Sequence, residues 1–474
     1  MGERILINPV TRIEGHARIS VYVSDAGEVE SAQFHVTEFR GFEKFCEGRP
    51  FHEMHGLMSR ICGICPVSHI LASSKAGDML LSAAVPAAAV KQRRLVNYAQ
   101  VLQSHALSFF HLSSPDLLLG MDSDPARRNL FGLLDGHAEF ARRGIRLRQF
   151  GQRIIELTGG KRIHPSWSVP GGVLKALGAS ERDEMLSWIP EAFVTLGAAL
   201  DMLKASLDPF REEVEHTGNF SSLFLGTVGR DGGMEFYDGV IRIVDAEGNI
   251  VADGLDPVRY HTFLGEASEE WSFMKLPYYK PLGYPGGMYR VGPLARCNVA
   301  RCAGTPGADR ELREFKQRAA GSVCHSFHYH LARLVEMMHC VERIEELMED
   351  PELLGENIRA NAGLNRLEGI GSCEAPRGTL FHHYHVDGNG LLKKANLLIA
   401  TSQNNLAMNK AVEQTARRFV QPARLAEGML NRVEAAIRCY DPCLSCSTHA
   451  LGQMPLVVEI RRASGELIEI VRRR

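Results

Sequence analysis

The sequence predicts an α+β fold, predominantly α: a long central helix bundle that carries small antiparallel β elements. Three observations predict it. Long stretches of helical period with few breakers fill the middle of the chain, two regions alternate as strands around turn residues, and two Cys-x-x-C segments stand near opposite ends. If those segments share a metal, the whole fold must bring them together. A chain of 474 residues is long enough for a large core. Neither an internal repeat nor a linker divides it, so one extended domain is expected.

Composition excludes several function classes. Hydrophobic content of 45%, charged content of 23% and a formal net charge of -2 describe an ordinary globular protein with no electrostatic case for nucleic acid or a membrane surface. No apolar run of bilayer length is expected, and Met1-Gly2-Glu3-Arg4 lacks the charged start and apolar stretch of a signal peptide, so a cytoplasmic site is the expectation. Eleven cysteines do not suggest a disulfide framework. Cys46, Cys297, Cys302, Cys324, Cys340, Cys373 and Cys439 are expected as buried small apolar residues.

Taken in order, the chain opens with Thr11-Arg12-Ile13-Glu14-Gly15-His16, where Glu14 reads most simply as a surface carboxylate paired with Arg12. Ile19, Val21 and Val23, a turn at Asp25-Ala26-Gly27 and the run Val29 to Val36 predict a β-hairpin. After Arg60-Ile61-Cys62-Gly63-Ile64-Cys65, Pro66 suits a first helical turn and pushes Cys65 into a loop, with the helix running on through His69, Ala72 and Ala76. Helices are predicted at about 76–119 (interrupted near Pro86), 124–158, 180–215, 310–349 and 403–436. A second hairpin region is expected over roughly 221–254, and 159–173 and 281–293 read as ordered loops. Near the end, Asp441 reads as a helix N-cap and Pro442 as the first helical residue, with Cys443 and Cys446 on one face.

Four thiolates in two pairs suit a closed zinc site. Zinc ribbons, however, hold their pairs in one short subdomain, and a site built from both ends of a long chain fits a reactive metal at the centre of the fold better. His16, His35, His105, His382, His383 and His385 read as ordinary polar residues, the His-His-x-His run lying on a predicted loop.

Six motifs in order carry a resemblance: Thr11 to His16; Arg40-Gly41-Phe42-Glu43; Arg60 to Cys65; Glu374-Ala375-Pro376-Arg377-Gly378; Gln403-Asn404-Asn405; and Asp441-Pro442-Cys443 with Cys446 and His449. From about residue 5 onward the chain resembles the large subunit of nickel-iron hydrogenases, most like the cytosolic NAD-reducing, bidirectional type. The resemblance implies a nickel held by Cys62, Cys65, Cys443 and Cys446. Cys65 and Cys446 would bridge to an iron that carries two cyanides and one carbon monoxide. Heterolytic splitting of H2 needs a polarising metal and a nearby base for the proton. Cys443 is the candidate base, relaying to Glu14. Arg377 would stand over the open face between the metals, held by Asp116 and Asp441, and would hydrogen-bond one cyanide; Thr401 would donate to the other. Asp441 would act equally as a helix cap, and Arg377 read alone is an ordinary salt-bridged residue. Ala400 stands where many relatives have proline. His69 would face the cluster from one helical turn beyond Cys65. Glu43, His449 and the carbonyl of Leu380 would hold magnesium or a similar ion.

The resemblance also implies that residues 1–449 form the mature domain and that 450–474 are removed at the His449-Ala450 bond. Leu456, Val458 and Ile460, a Ser464-Gly465 turn, then Ile468 and Ile470 read as a hairpin that would hold a precursor open until Cys446 and His449 fold inward after cleavage. A permanent surface hairpin is the plain alternative. The implied partners are a small iron-sulfur subunit, flavin and NAD-binding diaphorase subunits, a maturation endopeptidase and nickel chaperones. This chain offers no further iron-sulfur spacing and no Gly-x-Gly-x-x-Gly after a strand, so NAD is expected on another subunit. Related enzymes feeding NADP or a heterodisulfide reductase, a hydrogen sensor, and a non-catalytic relative in respiratory complex I are the alternatives.

Overall fold

The computed structural model describes residues 4–450, 456–462 and 467–473. Strands β1 (Arg4–Ile7), β2 (Ala17–Val23) and β3 (Val29–Val36) form an antiparallel sheet in that order. Ile19, Val21 and Val23 point into the core as the alternation predicts.

Helix α1 (Pro66–Leu81) starts at Cys65 as its cap with Pro66 in the first turn, as expected. It ends at Ser82, whose φ of 51° is left-handed. Helix α2 (Ala87–Ala106) follows Pro86 and runs through a π-helical stretch, Leu107–Ser113, into Ser114–Leu119. The span 124–158 resolves into Leu130–Gly136, capped by the Asn129 side chain, and α3 (Ala138–Gly159). The span 180–215 breaks into Ala179–Leu186, α4 (Ile189–Ser206) and Arg211–His216.

Two further predicted helices are also broken. The span 310–349 is Pro306–Lys316 and then α5 (Tyr329–Glu349); between them Ser322 N–H bonds the Ala246 carbonyl at 3.0 Å, so the chain leaves the helix to meet the second β region. The span 403–436 is Ala400–Gln403, α6 (Asn405–Phe419) and α7 (Glu427–Tyr440), broken where Pro422 removes a donor. α2 packs on α3 and α5, α5 on α4, and α6 on α7 and β3. One continuous apolar cluster takes in residues from Ile7 to Cys446.

The second β region is a meander, β4 (Leu223–Val228), β5 (Val240–Val244) and β6 (Ile250–Leu255), with Tyr289–Arg290 added in parallel on β4. A third sheet was not predicted: β7 (Glu368–Ala375), β8 (Gly378–Val386) and β9 (Leu392–Leu398), antiparallel in sequence order. The His-His-x-His run therefore lies on a strand, not a loop. β7 lies directly on α1, the helix that starts at Cys65. A Cβ at Gly371 would come within 2.0 Å of the Ala72 carbonyl, so only glycine permits that approach.

Other expectations also change. Ala179–Ser206, where none was expected, is long and apolar enough to cross a membrane by length and composition alone, and its residues Ile189, Leu196, Ala199 and Leu203 are buried in the core. Cys302 and Cys324 are only half-buried, while the other five cysteines outside the two pairs are buried. His35, His105, His382 and His383 are buried rather than exposed. The tail strands Leu456–Arg461 and Leu467–Arg473 pair with each other as predicted; their Ser464-Gly465 turn lies outside the described residues.

Candidate active site

The two ends of the chain meet. Cys62, Cys65, Cys443 and Cys446 are all buried, and their sulfurs lie within 4.8 Å of one another. Cys443 Sγ is 2.8 Å from Cys446 Sγ and 3.2 Å from Cys62 Sγ, and Cys65 Sγ is 3.4 Å from Cys446 Sγ. Hydrogen bonds from Cys443 and the other thiols hold Cys62 well below the usual thiol range, while burial pushes Cys443 and Cys446 well above it. Without a cation, four neighbouring sulfurs in a dry site cannot all be thiolates. A metal cation would remove that conflict, and four sulfurs fit a soft or borderline metal.

Each pair is positioned by named contacts. Gln100 and Gln103 on α2 both donate to the Ile64 carbonyl at 2.7 Å, fixing the loop between Cys62 and Cys65, and Arg40 donates to the Ile61 carbonyl. The C-terminal pair is set differently from the prediction. Asp441 does not cap a new helix: it ends α7 in a left-handed conformation (φ 52°), and the short helix α8 (Leu444–Ser447) starts after Cys443. An aspartate tolerates left-handed φ, so the residue type suits this place as well as an N-cap.

Glu14 is not paired with Arg12. Its carbonyl accepts the Leu444 N–H at 3.1 Å and its Oε2 accepts the Ser445 N–H at 3.0 Å, which lays it along the C-terminal cysteine segment. Gly15 permits this: its φ is +89°, and a Cβ would sit 2.6 Å from Leu444 Cβ. Arg12 instead donates to the Leu112 carbonyl and to Asp116.

Asp116 does not hold Arg377. It accepts from Arg12 at 2.5 Å and from Asn431 and Arg438 at 3.0 Å. Burial opposes its charge, but Arg438 and Arg12 outweigh burial and keep it below the usual carboxylate range. It ties the N-terminal motif to α7. Asp441 does hold Arg377: the guanidinium lies 3.0 Å from its carboxylate, donates to its carbonyl, and donates to Ser104 at 3.2 Å. The guanidinium nitrogen of that ion pair is Nη2, which faces Asp441 Oδ2 without hydrogen-bond alignment to it.

Arg377, Thr401 and His69 are the polar side chains around a cavity of about 20 Å³ that Leu380, Ile399, Ala400 and three of the sulfurs also line. Thr401 Oγ1 accepts the Cys443 N–H at 2.9 Å, which leaves its own proton to donate. A small pocket beside the sulfurs with a cation and a hydroxyl donor at its wall suits small anionic diatomic ligands. His69 Nε2 is 3.3 Å from Cys446 Sγ, as expected. Its Nδ1 is 3.1 Å from His382 Nε2, and His382 Nδ1 is 2.7 Å from the Tyr384 hydroxyl, which donates to Ser73. Burial pushes His69 down to about 4 and His382 well below its ordinary value, so both imidazoles are neutral near pH 7.

Glu43 Oε1 lies 2.9 Å from His449 Nδ1 and accepts the Leu397 N–H at 2.7 Å. The Glu43 N–H donates to the His449 carbonyl, and those of Arg40 and Gly41 to the Thr448 carbonyl. His449 Nε2 is buried without a hydrogen-bond partner, a nitrogen that could ligate an ion. Cys446 and His449 are each 1% exposed in the chain that still carries the tail, so the expectation that they fold inward only after cleavage is corrected.

Sequence reasoning missed the residues that fix Arg377 from behind. Arg296, fully buried, donates to the carbonyls of Ala375 and Pro376 at 3.0 Å and is held by Glu336 and Glu374. His105 completes the network at 2.7 Å from Glu336. Glu374 stands in one of the six motifs and was the available signal; Arg296 and Glu336 lie in ordinary helical segments and give none.

Comparison with known proteins agrees with this geometry. The family model for nickel-dependent hydrogenases matches residues 40–123 and 236–449, and a HoxL-like model matches residues 4–39. The chain is 42% identical to the NAD-reducing hydrogenase HoxS subunit beta of Cupriavidus necator over 99% of both chains. It is 40% identical to a vhu subunit of the F420-non-reducing hydrogenase of Methanococcus voltae, over 87% of this chain and 98% of that one. Among solved structures, an NAD+-reducing [NiFe]-hydrogenase in the H2-reduced state superposes with a TM-score of 0.92 at 45% identity, covering 94% of this chain and 99% of that one. With its four cysteines gathered from both ends around one buried point, the chain belongs to the nickel-dependent hydrogenase family.

Proposed function

We propose that this chain is a catalytic subunit that cleaves H2 reversibly into protons and electrons at a nickel-iron centre held by Cys62, Cys65, Cys443 and Cys446. The observation that carries this reading is the buried four-sulfur cluster opening onto a small apolar pocket with Arg377 and Thr401 at its wall. When bound, the centre supplies the polarising metal for heterolytic cleavage of H2. Arg377, as a fixed cation, and Thr401, through its hydroxyl proton, would orient cyanide ligands of that centre, and the apolar wall keeps water out. Cys65 and Cys446 would be the two sulfurs shared by both metals, and His69 steadies Cys446. Cys443 accepts the proton at Sγ, and Glu14, laid along the same segment, receives it at its carboxylate. Asp441 holds Arg377 in place, while Asp116 supports α7 from below.

Glu43 and His449, with the Leu380 carbonyl, hold magnesium or a similar ion; the unpartnered buried Nε2 of His449 supports this. Residues 1–449 form the working domain, and 450–474 are removed by an endopeptidase after nickel chaperones have loaded the site. Ala450 is buried at 7% exposure, so in this conformation the bond to be cut is shielded from solvent. Electrons leave through a small iron-sulfur subunit toward flavin and NAD on further subunits in the cytoplasm. The identity to NAD-reducing relatives favours that acceptor; the similar identity to an F420-non-reducing hydrogenase favours the second reading, in which the electrons reach another acceptor. H2-dependent NAD reduction by the copurified complex tests the choice: NADH formation supports the first reading, and reduction of an artificial dye without NADH formation supports the second.

A further inference from the structure

A second set of metal-type donors converges on the far face of the strand that carries His382. Alternation along β8 sends His382 and Tyr384 inward, where they join His69, and sends His383 and His385 to the other face. There Glu368, which pairs with His385 in the β7-β8 register, completes a cluster whose three ligand atoms lie within 4.8 Å of one another. We propose that Glu368, His383 and His385 bind a single divalent transition-metal ion, zinc being the best fit, with one coordination position left to solvent.

The distances suit such an ion. His383 Nε2 is 2.8 Å from Glu368 Oε1 and His385 Nε2 is 3.9 Å from the same oxygen. A tetrahedral zinc with ordinary bond lengths separates its nitrogen and oxygen donors by about 3.3 Å, between the two values, so small rotamer changes bring all three to the ion. An ion pair between His383 and Glu368 accounts for the shorter distance; the register opposite Glu368 and a ring contact with His383, centroids 4.6 Å apart, bring the second imidazole to the same oxygen.

The surroundings fix His383 as a ligand would be fixed. Its Nδ1 lies 3.2 Å from the Tyr260 hydroxyl, whose oxygen also accepts from Asn396 at 2.8 Å, and the Tyr260 ring stacks on Phe381. When Nδ1–H donates to Tyr260, Nε2 has a lone pair for an ion set between it and Glu368, and Tyr260 is the second partner that metal-binding histidines ordinarily have. His383 is 8% exposed, whereas Glu368 and His385 reach solvent, so the site has a rigid inner ligand and an accessible outer side. Two imidazoles and one carboxylate select zinc, nickel or copper over magnesium or calcium. A bound ion would pin the start of β7 to the end of β8, on the strand whose other face contacts His69.

The test uses the mature complex, treated with chelator, desalted and titrated with zinc alone, with cobalt as a spectroscopic substitute. Wild type is expected to retain one more zinc per chain than a Glu368→Gln or a His385→Ala variant, and each variant is expected to bind at least tenfold more weakly. Cobalt is expected to give the intense visible absorption of a four- or five-coordinate ion in wild type only. Glu368 and His385 are exposed enough that neither change should disturb the fold, and unchanged nickel content and H2 oxidation check this. Equal zinc uptake by wild type and both variants, or no uptake by wild type, overturns the proposal.

Discussion

Replacing Glu14 by glutamine tests the proton route most sharply. Glutamine is the same size, and its amide oxygen still accepts the Ser445 N–H that Glu14 Oε2 accepts at 3.0 Å, so the cysteine segment keeps its position. What is lost is a group that can take a proton and release it. General acid-base groups contribute about 10²- to 10⁴-fold to rate, so H2 oxidation by Glu14→Gln should fall by that order. Nickel and iron content and the infrared spectrum should match wild type. Glu14→Asp keeps the acid but withdraws it by one methylene, and an intermediate rate is expected. The assay is H2-dependent dye reduction by the mature complex at saturating H2. A Glu14→Gln enzyme within twofold of wild type would refute the assignment of Glu14 to the relay.

Further outcomes follow from other contacts. Gly15→Ala places a non-glycine residue at φ +89° and a methyl 2.6 Å from Leu444 Cβ; the backbone alone costs about 1–2 kcal/mol, and a lower Tm with less nickel retained is expected. Glu336 is held down to about 2 against an ordinary 4.5: burial opposes this, and Arg296 and His105 outweigh it. A lowered carboxylate pKa gives stability that is full above 4.5 and is lost as pH falls toward 2. Glu336→Gln should therefore be less stable than wild type at pH 7, with the difference shrinking across that acid window in a denaturant series. Mass spectrometry of the nickel-loaded protein should give a chain ending at His449, and a mature mass that includes Arg474 would contradict removal of the tail.

The parts of the site legible in the sequence were those where residue type and spacing themselves carry chemistry. Two Cys-x-x-C pairs, Pro66 after Cys65 and the Pro376-Arg377-Gly378 turn announce themselves locally, and helical period marked most of the bundle. The third sheet was not legible because its middle strand is buried along nearly its whole length, so no alternation marks it. Its histidines were consequently read as loop residues. Asp441 was misplaced because an aspartate suits an N-cap and a left-handed C-terminus alike. Asp116 was assigned to the wrong arginine because Arg12, Arg377 and Arg438 are equivalent partners until the fold brings two of them to it. Arg296, the buried support of the Arg377 turn, sits among ordinary helical residues, and only tertiary contacts show that it is fully enclosed.

The proposed chemistry rests on one centre. Metal analysis of the matured protein together with its infrared spectrum tests it most directly. Nickel and iron in equal amounts, with absorption bands of bound carbon monoxide and cyanide that vanish in Cys62→Ser or Cys446→Ser variants, is the predicted result. Stoichiometric zinc at the four cysteines, without nickel and without those bands, in protein made with its maturation machinery would contradict it.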